Sequence, residues 1–219
     1  MEKFFEKLGL YEIINYLFTA IITYVSFVYL LYYFEIINKA NLTTYIGYIK
    51  DWYYLIIIYF FGIIIHEGSE FFSKWIFFHK GYPSDRYFEE NKHSKIKEQI
   101  STKINKDRDI KFDLNESTDL KQALNIIYSI MQETPANEMI QKMNRQFGCF
   151  RALSFVFILE TVISIVLLIR DFILEGFNLE TFKIFIPLVI ISWLSIRRMY
   201  RFGNRFADYC YRNYAKDIK

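Results

Sequence analysis

The sequence predicts an all-α integral membrane protein with four transmembrane helices and a small helical cytoplasmic layer. Of its 219 residues, 53% are hydrophobic and 20% are aromatic, while only 23% are charged. A soluble core of this size cannot bury 23 Phe and 18 Tyr side chains, and the remaining rings would form an apolar surface that aggregates. The apolar residues also occur in long blocks, which is typical of segments that cross a bilayer.

Four apolar blocks approach the roughly 20 residues that a helix needs to cross about 30 Å of hydrocarbon. They occupy residues 13–34, about 47–65, 152–169 and 182–196. The second block is extended back to Gly47 because its uncharged stretch is short, with Lys50 and Asp51 placed among the headgroups. Pro187 falls in the first turns of the fourth block, where a proline is tolerated.

Lysine and arginine residues orient these blocks, because they are enriched on the cytoplasmic side of membrane proteins. Of the 27 basic residues, 23 fall at the N-terminus, between the second and third blocks, at the start of the third block and in the C-terminal segment. The other four are Lys39, Lys50, Arg170 and Lys183. This asymmetry predicts that both termini and the middle segment are cytoplasmic. Cys149 and Cys210 then lie where thiols stay reduced, so both are expected to be free.

The blocks divide the chain into four parts. Residues 1–80 form an N-terminal transmembrane hairpin with interfacial helices, residues 81–150 a cytoplasmic helical insert, residues 151–196 a second transmembrane hairpin, and residues 197–219 a basic cytoplasmic tail. Apolar residues at helical spacing in the insert predict helices over residues 89–104 and 120–132. A further helix is expected to begin at Ala136 and run into the third block, and the tail is expected to continue the helix of the fourth block.

Glu160 interrupts the third block. A carboxylate near the middle of a membrane-spanning helix costs a few kcal/mol, so it normally faces a partner, water or a polar cavity. Two roles remain open: a pore-lining group that binds ions or accepts protons, and a structural group bonded to a neighbouring helix. Ser164 lies one helical turn after it.

Hydroxyl side chains form stripes on two other blocks, Thr19, Thr23 and Ser26 on the first and Ser192 and Ser195 on the fourth. Such stripes line aqueous paths, but small polar residues also allow helices to pack closely in lipid, and on their own the stripes favour packing. Pore lining is favoured if the stripes converge with the carboxylate on one axis. The pore-lining candidates are therefore Glu160, Ser164, Thr19, Thr23 and Ser192.

His66, Glu67 and Glu70 end the second block with a histidine and two carboxylates, which are residue types found in metal sites. The segment lacks the second histidine of the H-E-x-x-H motif, so an interfacial polar cluster is favoured over a metal centre. The sequence has no recognisable Gly-rich phosphate loop or nucleophile elbow. We therefore expect no metal, no cofactor and no catalytic residue, and a membrane enzyme with its site here ranks third among the functions considered.

The tail carries seven basic and two acidic residues, so its net charge of +5 exceeds the +3 of the whole chain. Arg198, Arg201 and Arg205 lie on one helical face. This face is suited to anchoring on anionic lipid, to binding a phosphorylated ligand such as a nucleotide or oligonucleotide, or to contacting another subunit.

The layout of two blocks, a helical insert, two blocks and a basic tail resembles the small channel-forming membrane effectors of bacterial anti-phage systems of the Hailong type. Stretches at residues 81–83, 137–151 and 205–209 carry the resemblance and cover less than a fifth of the chain. The resemblance implies a homo-oligomeric channel in the bacterial inner membrane that depolarises it in response to a partner enzyme's nucleotide signal. The alternative function is a non-catalytic membrane scaffold or accessory subunit.

The charge asymmetry generates a topology prediction. A cysteine at Lys219, in a variant whose native Cys149 and Cys210 are replaced by serine, should react with a membrane-impermeant maleimide only after the cells are permeabilised. A cysteine at Asn41, which lies between the first and second blocks on the predicted outer side, should react in intact cells. Labelling of both positions 41 and 219 in intact cells would require an odd number of spans and would exclude the four-span arrangement.

Overall fold

The computed structural model describes residues 10–79, 81–84, 86–88, 94–108, 114, 117–176 and 182–216. Within these residues the chain is helical and contains no strand, so the all-α prediction is confirmed there. The helices are α1 Leu10–Tyr33, α2 Lys39–Gly47, α3 Trp52–Ile76, α4 Ser94–Arg108, α5 Ser117–Met131, α6 Asn137–Glu175 and α7 Phe182–Lys216.

Three helices are long and apolar enough to cross a membrane. These segments are Asn15–Tyr33 of α1, Trp52–Ile76, which is all of α3, and Asn137–Leu174 of α6. The fourth predicted block is helical as part of α7, but only 13 uncharged residues separate Lys183 from Arg197. That interval is shorter than the roughly 20 residues of a full span, so the fourth span stays a prediction. With three spans the termini lie on opposite sides of the bilayer, and with four they lie on the same side.

The second apolar block begins later than the sequence suggested. Helix α2 ends at Gly47, a 3-10 turn covers Tyr48–Lys50, and Asp51 has an extended backbone with φ −90° and ψ 124°. Asp favours this conformation directly before a helix, which explains why α3 starts at Trp52 and the extension back to Gly47 was wrong. At its other end α3 passes His66 and continues to Ile76.

The helices of the insert agree with the periodicity, with shifted ends. Helix α4 covers most of the segment predicted at residues 89–104 and continues to Arg108, while residues 89–93 lie outside the described part. Helix α5 starts at Ser117, three residues before the predicted start. The two long continuous helices are confirmed, because α6 runs unbroken for 39 residues and α7 for 35.

The chain divides into two compact units. The first comprises Met1–Ser73 and Gly148–Arg197, and the second comprises Lys74–Phe147 and Arg198–Lys219. The insert and the basic tail, which are distant in sequence, thus belong to one unit.

The first unit has a thin apolar core between helices. Leu30 and Phe34 of α1 pack with Leu153 and Phe157 of α6 and with Leu188 of α7, all of them buried. Most of its other large apolar side chains point outward. Phe71 is 80% exposed, Ile173 74% and Trp52 72%. Outward-facing rings are what helices in contact with lipid require, and this distribution supports the predicted membrane location.

The second unit has the core of an ordinary helical domain. Its apolar stripes converge as periodicity predicts, with α4, α5, the start of α6 and the end of α7 each contributing. Its fully buried members include Ile100, Ile104, Ile127, Ile140, Cys210 and Tyr211. Tyr211 also donates a hydrogen bond to the carbonyl oxygen of Ser84 at 3.2 Å, which satisfies a hydroxyl that burial would otherwise penalise.

Helices α1 and α3 approach closely at Gly62. A Cβ atom added there would overlap the backbone carbonyl oxygen of Tyr16 and lie 3.2 Å from the Cβ of Ala20. A glycine is therefore required by space, because the obstacle is backbone and cannot move aside as a flexible side chain can.

Gly62→Ala should force α1 and α3 apart. We expect it to lower the free energy of unfolding of the purified protein in detergent by about 1–3 kcal/mol, with a corresponding fall in melting temperature. Gly148→Ala on α6 is the matched control, because among the described residues no atom outside the neighbouring backbone of α6 lies within 4 Å of the added Cβ. This control should be neutral or up to about 1 kcal/mol more stable, since alanine is the better helix former. Equal melting temperatures for the two variants would contradict the described contact between α1 and α3.

Candidate functional site

Glu160 lies inside the first unit, with only 2% of its surface exposed. Ser26 Oγ of α1 lies 2.6 Å from Glu160 Oε1, and the same hydroxyl lies 2.8 Å from the carbonyl oxygen of Ile22. The second carboxylate oxygen, Oε2, is buried and has no hydrogen-bond partner within the described residues. Ser164 Oγ donates to the backbone carbonyl of Glu160 at 2.8 Å. One oxygen of the carboxyl group therefore has a hydrogen-bond partner in the described part of the chain, and the other has none.

Thr19 and Thr23 of the α1 stripe belong to a second polar cluster. Thr19 is fully buried, and its Oγ1 lies 3.4 Å from His66 Nε2 of α3 and 3.8 Å from Cys149 Sγ of α6. The ring of Tyr16 meets the imidazole edge-on with centroids 4.6 Å apart. Thr23 donates to the carbonyl oxygen of Thr19 at 2.7 Å. Side chains from α1, α3 and α6 thus meet at Thr19.

Ser192 of α7 takes part in a third pairing. Its Oγ lies 3.1 Å from Thr161 Oγ1 of α6, and Thr161 also donates to the carbonyl oxygen of Phe157 at 2.6 Å. The five pore-lining candidates thus all lie in the first unit. Glu160 pairs with Ser26, Thr19 with His66 and Ser192 with Thr161. Thr23 and Ser164 bond to the backbone carbonyls of Thr19 and Glu160. These described contacts do not join them on one axis, and pore lining stays a prediction.

His66, Glu67 and Glu70 have different surroundings. His66 is buried beside Thr19, whereas Glu70 Oε2 forms a weak ion pair with Arg151 Nη2 at 3.5 Å. Glu67 is exposed. Among the described residues no three His, Cys, Asp or Glu side chains are grouped so that they could hold a metal ion.

The three arginines proposed as ligand-binding residues are all exposed on α7, but they differ in position. Arg205 lines a cleft of about 550 Å³ in the second unit, whereas Arg198 and Arg201 are not among its lining residues. The structure therefore separates one arginine of the predicted face from the other two.

A polar network at the edge of this cleft was not predictable from the sequence. Tyr87 donates to Asp208 Oδ1 at 2.5 Å, and Arg212 Nε donates to the same oxygen at 2.6 Å. Partial burial and the bond to Asp208 raise the pKa of Tyr87 to about 12. Asp208 and Arg212 are four residues apart on one helix, which the sequence does reveal, but the approach of Tyr87 follows only from tertiary packing.

Comparison of the chain with protein-family models, with curated proteins and with solved structures returns no match. Sequence reasoning placed Ser26 on the α1 stripe but missed it as the partner of Glu160, because a helical stripe shows which residues share a face and not which residue opposes them.

The Tyr87 network should make stability depend on alkaline pH. A pKa raised from about 10 to about 12 means that the protonated phenol stabilises the fold fully below pH 10 and that this stabilisation disappears as the pH rises to 12. Since Tyr87 is partly solvated, we expect the wild type to lose on the order of 1 kcal/mol more than Tyr87→Phe across this interval. Melting temperatures in detergent at pH 9 to 12 measure the difference.

The control for this experiment is Tyr209→Phe on α7, a tyrosine that is 37% exposed. It should follow the wild-type pH profile. A Tyr87→Phe profile parallel to that of the wild type would contradict the shifted pKa.

Proposed function

We propose that the chain is a subunit of a gated ion channel in a membrane and that Glu160 is the group on its path that takes up a proton or cation. The observation that carries the proposal is the half-satisfied carboxyl group of Glu160 inside the apolar first unit. One oxygen contacts Ser26, and the other is buried without a partner in the described part of the chain.

The energetics favour a functional role for such a group. A carboxylate inside an apolar helix bundle costs several kcal/mol unless it is paired, and a leftover buried acceptor adds about 1–3 kcal/mol. A purely structural link between helices needs only a serine or threonine pair, such as Thr161 with Ser192 in the same unit. Intramembrane carboxylates are rare for this reason and typically mark ion or proton pathways.

The contact with Ser26 suits a group that changes its protonation state. A hydroxyl has one hydrogen but accepts through two lone pairs. When Glu160 is ionised, Ser26 donates to it; when Glu160 is protonated, Ser26 donates to the carbonyl oxygen of Ile22 at 2.8 Å and accepts from the carboxyl group. A hydrogen bond between the two side chains is therefore possible in both protonation states.

The described conformation corresponds to a closed channel under this proposal. Thr19 and Ser164 are fully buried and Glu160 is nearly so, because the described residues pack around all three side chains and exclude solvent. Opening then requires the helices that carry the three pairings to separate. The hydroxyls of Thr19, Thr23 and Ser26 follow α1 over about 10 Å and would supply polar contacts along the opened interface.

The distribution of basic residues favours cytoplasmic termini, and the resemblance to Hailong-type effectors implies homo-oligomers of the chain in the bacterial inner membrane. There they would depolarise the membrane as an anti-phage effector controlled by a nucleotide or oligonucleotide from a partner enzyme.

A non-catalytic scaffold is the second candidate, and a specific observation favours it. The Ser26–Glu160 contact joins α1 to α6, and the Thr161–Ser192 contact joins α6 to α7. Both contacts would hold helices together in lipid without any conduction.

Glu160→Gln separates the two functions. Glutamine can bond to Ser26 but cannot ionise, so a channel variant should lose most of its ion flux, by roughly tenfold or more, while its assembly and thermal stability stay near wild type. The measurement is ion flux from proteoliposomes that contain the purified protein, with a membrane-potential dye in expressing cells as a second readout.

Ser154→Ala is the control, because this buried serine of α6 bonds only to the carbonyl oxygen of Phe150 in its own helix among the described contacts. Its flux should equal that of the parent. If Glu160→Gln conducts like the parent and Glu160→Ala loses stability, Glu160 is a structural link. An absence of flux from the wild type under all ionic conditions would contradict the channel itself.

A further inference from the structure

The second unit contains a cleft with strongly aromatic walls, which we call the aromatic cleft. Its volume of about 550 Å³ lies within the roughly 300–1,000 Å³ of typical small-molecule sites. The residues that matter for its chemistry are Phe77, Phe78, Tyr200, Asn204, Arg205 and Asp208.

The aromatic wall is held in place by contacts within the unit. Phe78 is buried, with its ring centroid 4.8 Å from that of Tyr82 and 5.5 Å from that of Tyr200. Tyr200 Oη donates to the carbonyl oxygen of Phe77 at 3.0 Å. A wall that is fixed before binding loses little conformational entropy when a ligand arrives.

Gly203 explains why α7 lies so close to the segment after α3. A Cβ atom added to Gly203 would come within 2.9 Å of Pro83 Cγ and 3.1 Å of Phe147 Cε2. The backbone of α7 therefore packs directly against Pro83, which is one of the residues that line the aromatic cleft.

The cleft presents cationic and amide donors to a ligand. Arg205 and Asn204 are exposed, and neither makes a hydrogen bond or ion pair with another residue in the described part of the chain. Arg86 adds a second positive charge to the lining. Tyr87 and Arg212 both donate to Oδ1 of Asp208, so the negative charge of this carboxylate is balanced by the guanidinium of Arg212 at 2.6 Å. The donors that remain available favour an anion.

From this geometry we infer that the aromatic cleft binds a small compound made of a planar ring and a phosphate group. The guanidinium of Arg205 grips two phosphate oxygens through paired hydrogen bonds, and Asn204 supplies a further donor. The ring lies against the aromatic wall formed with Tyr200, where stacking is favourable for any flat π-system. Binding to the cleft does not require that the protein conduct ions.

This inference differs from a general role of the tail in attracting anions. Lipid anchoring depends on net charge, so Arg198, Arg201 and Arg205 would contribute about equally and lysine could replace any of them. A cleft ligand depends on Arg205 far more than on Arg201, and it needs the arginine fork rather than a charge alone.

Equilibrium dialysis of the full-length protein in nanodiscs tests the inference, with AMP and phenyl phosphate as probes and with adenosine and inorganic phosphate as the separated halves. We expect saturable binding of one AMP per chain. Adenosine and inorganic phosphate should each bind with an affinity at least roughly tenfold lower than that of AMP. Arg205→Ala and Arg205→Lys should each weaken AMP binding by roughly tenfold or more. Tyr200→Ala should weaken the binding of AMP and adenosine but not that of phosphate.

Lys216→Ala is the matched control, because it removes one exposed positive charge from the same helix outside the cleft. It should bind AMP like the parent. Melting temperatures of all variants establish that they are folded.

Three results would overturn the inference. The first is an absence of saturable binding of both AMP and phenyl phosphate up to millimolar concentrations. The second is an equal loss of AMP binding in Arg201→Ala and Arg205→Ala, which would indicate diffuse attraction by the tail. The third is displacement of AMP when zwitterionic lipid is replaced by anionic lipid, which would identify lipid phosphate as the ligand.

Discussion

The carboxyl group of Glu160 imposes a constraint that organises the helices of the first unit. In an apolar bundle it needs a polar partner at short range, and Ser26 provides one at 2.6 Å from the neighbouring helix. The same need for local partners accounts for Thr19 beside His66 and Thr161 beside Ser192. Each pairing holds two helices in a fixed register, while the apolar contacts around them are far less specific.

The second unit is also built from helices, but mainly apolar packing holds them together. Its helices bury apolar stripes against one another, the buried hydroxyl of Tyr211 bonds to the carbonyl oxygen of Ser84, and Tyr87 and Arg212 share Asp208 at the edge of the cleft. The start of α7 contributes Leu188 to the first core, and its end contributes Tyr211 to the second. One continuous helix therefore carries an apolar half suited to lipid and an amphipathic half suited to a water-facing domain.

Sequence reasoning succeeded where a single long signal dominates and failed where a contact crosses between elements. The unbroken helices α6 and α7 were predictable, because no glycine or proline occurs where it would break them; Pro187 lies in the first turns of α7. The start of the second block was misplaced because Asp51 begins a new helix there instead of lying within one. The partnership of Ser26 with Glu160 and the selection of Arg205 for the cleft depend on which helix faces which, and periodicity holds no information about that.

The sequence by itself determined the helical class, the apolar blocks, the buried stripe of each helix and the basic character of the tail. These properties are local, because they follow from hydropathy and from the 3.6-residue period of the helix. Only the tertiary structure decided that Gly62 meets the backbone of Tyr16, that one oxygen of Glu160 has no partner among the described residues and that a cleft opens beside Tyr200. Each of these depends on distances between residues far apart in the chain, which are set when side chains from different helices fill the same space.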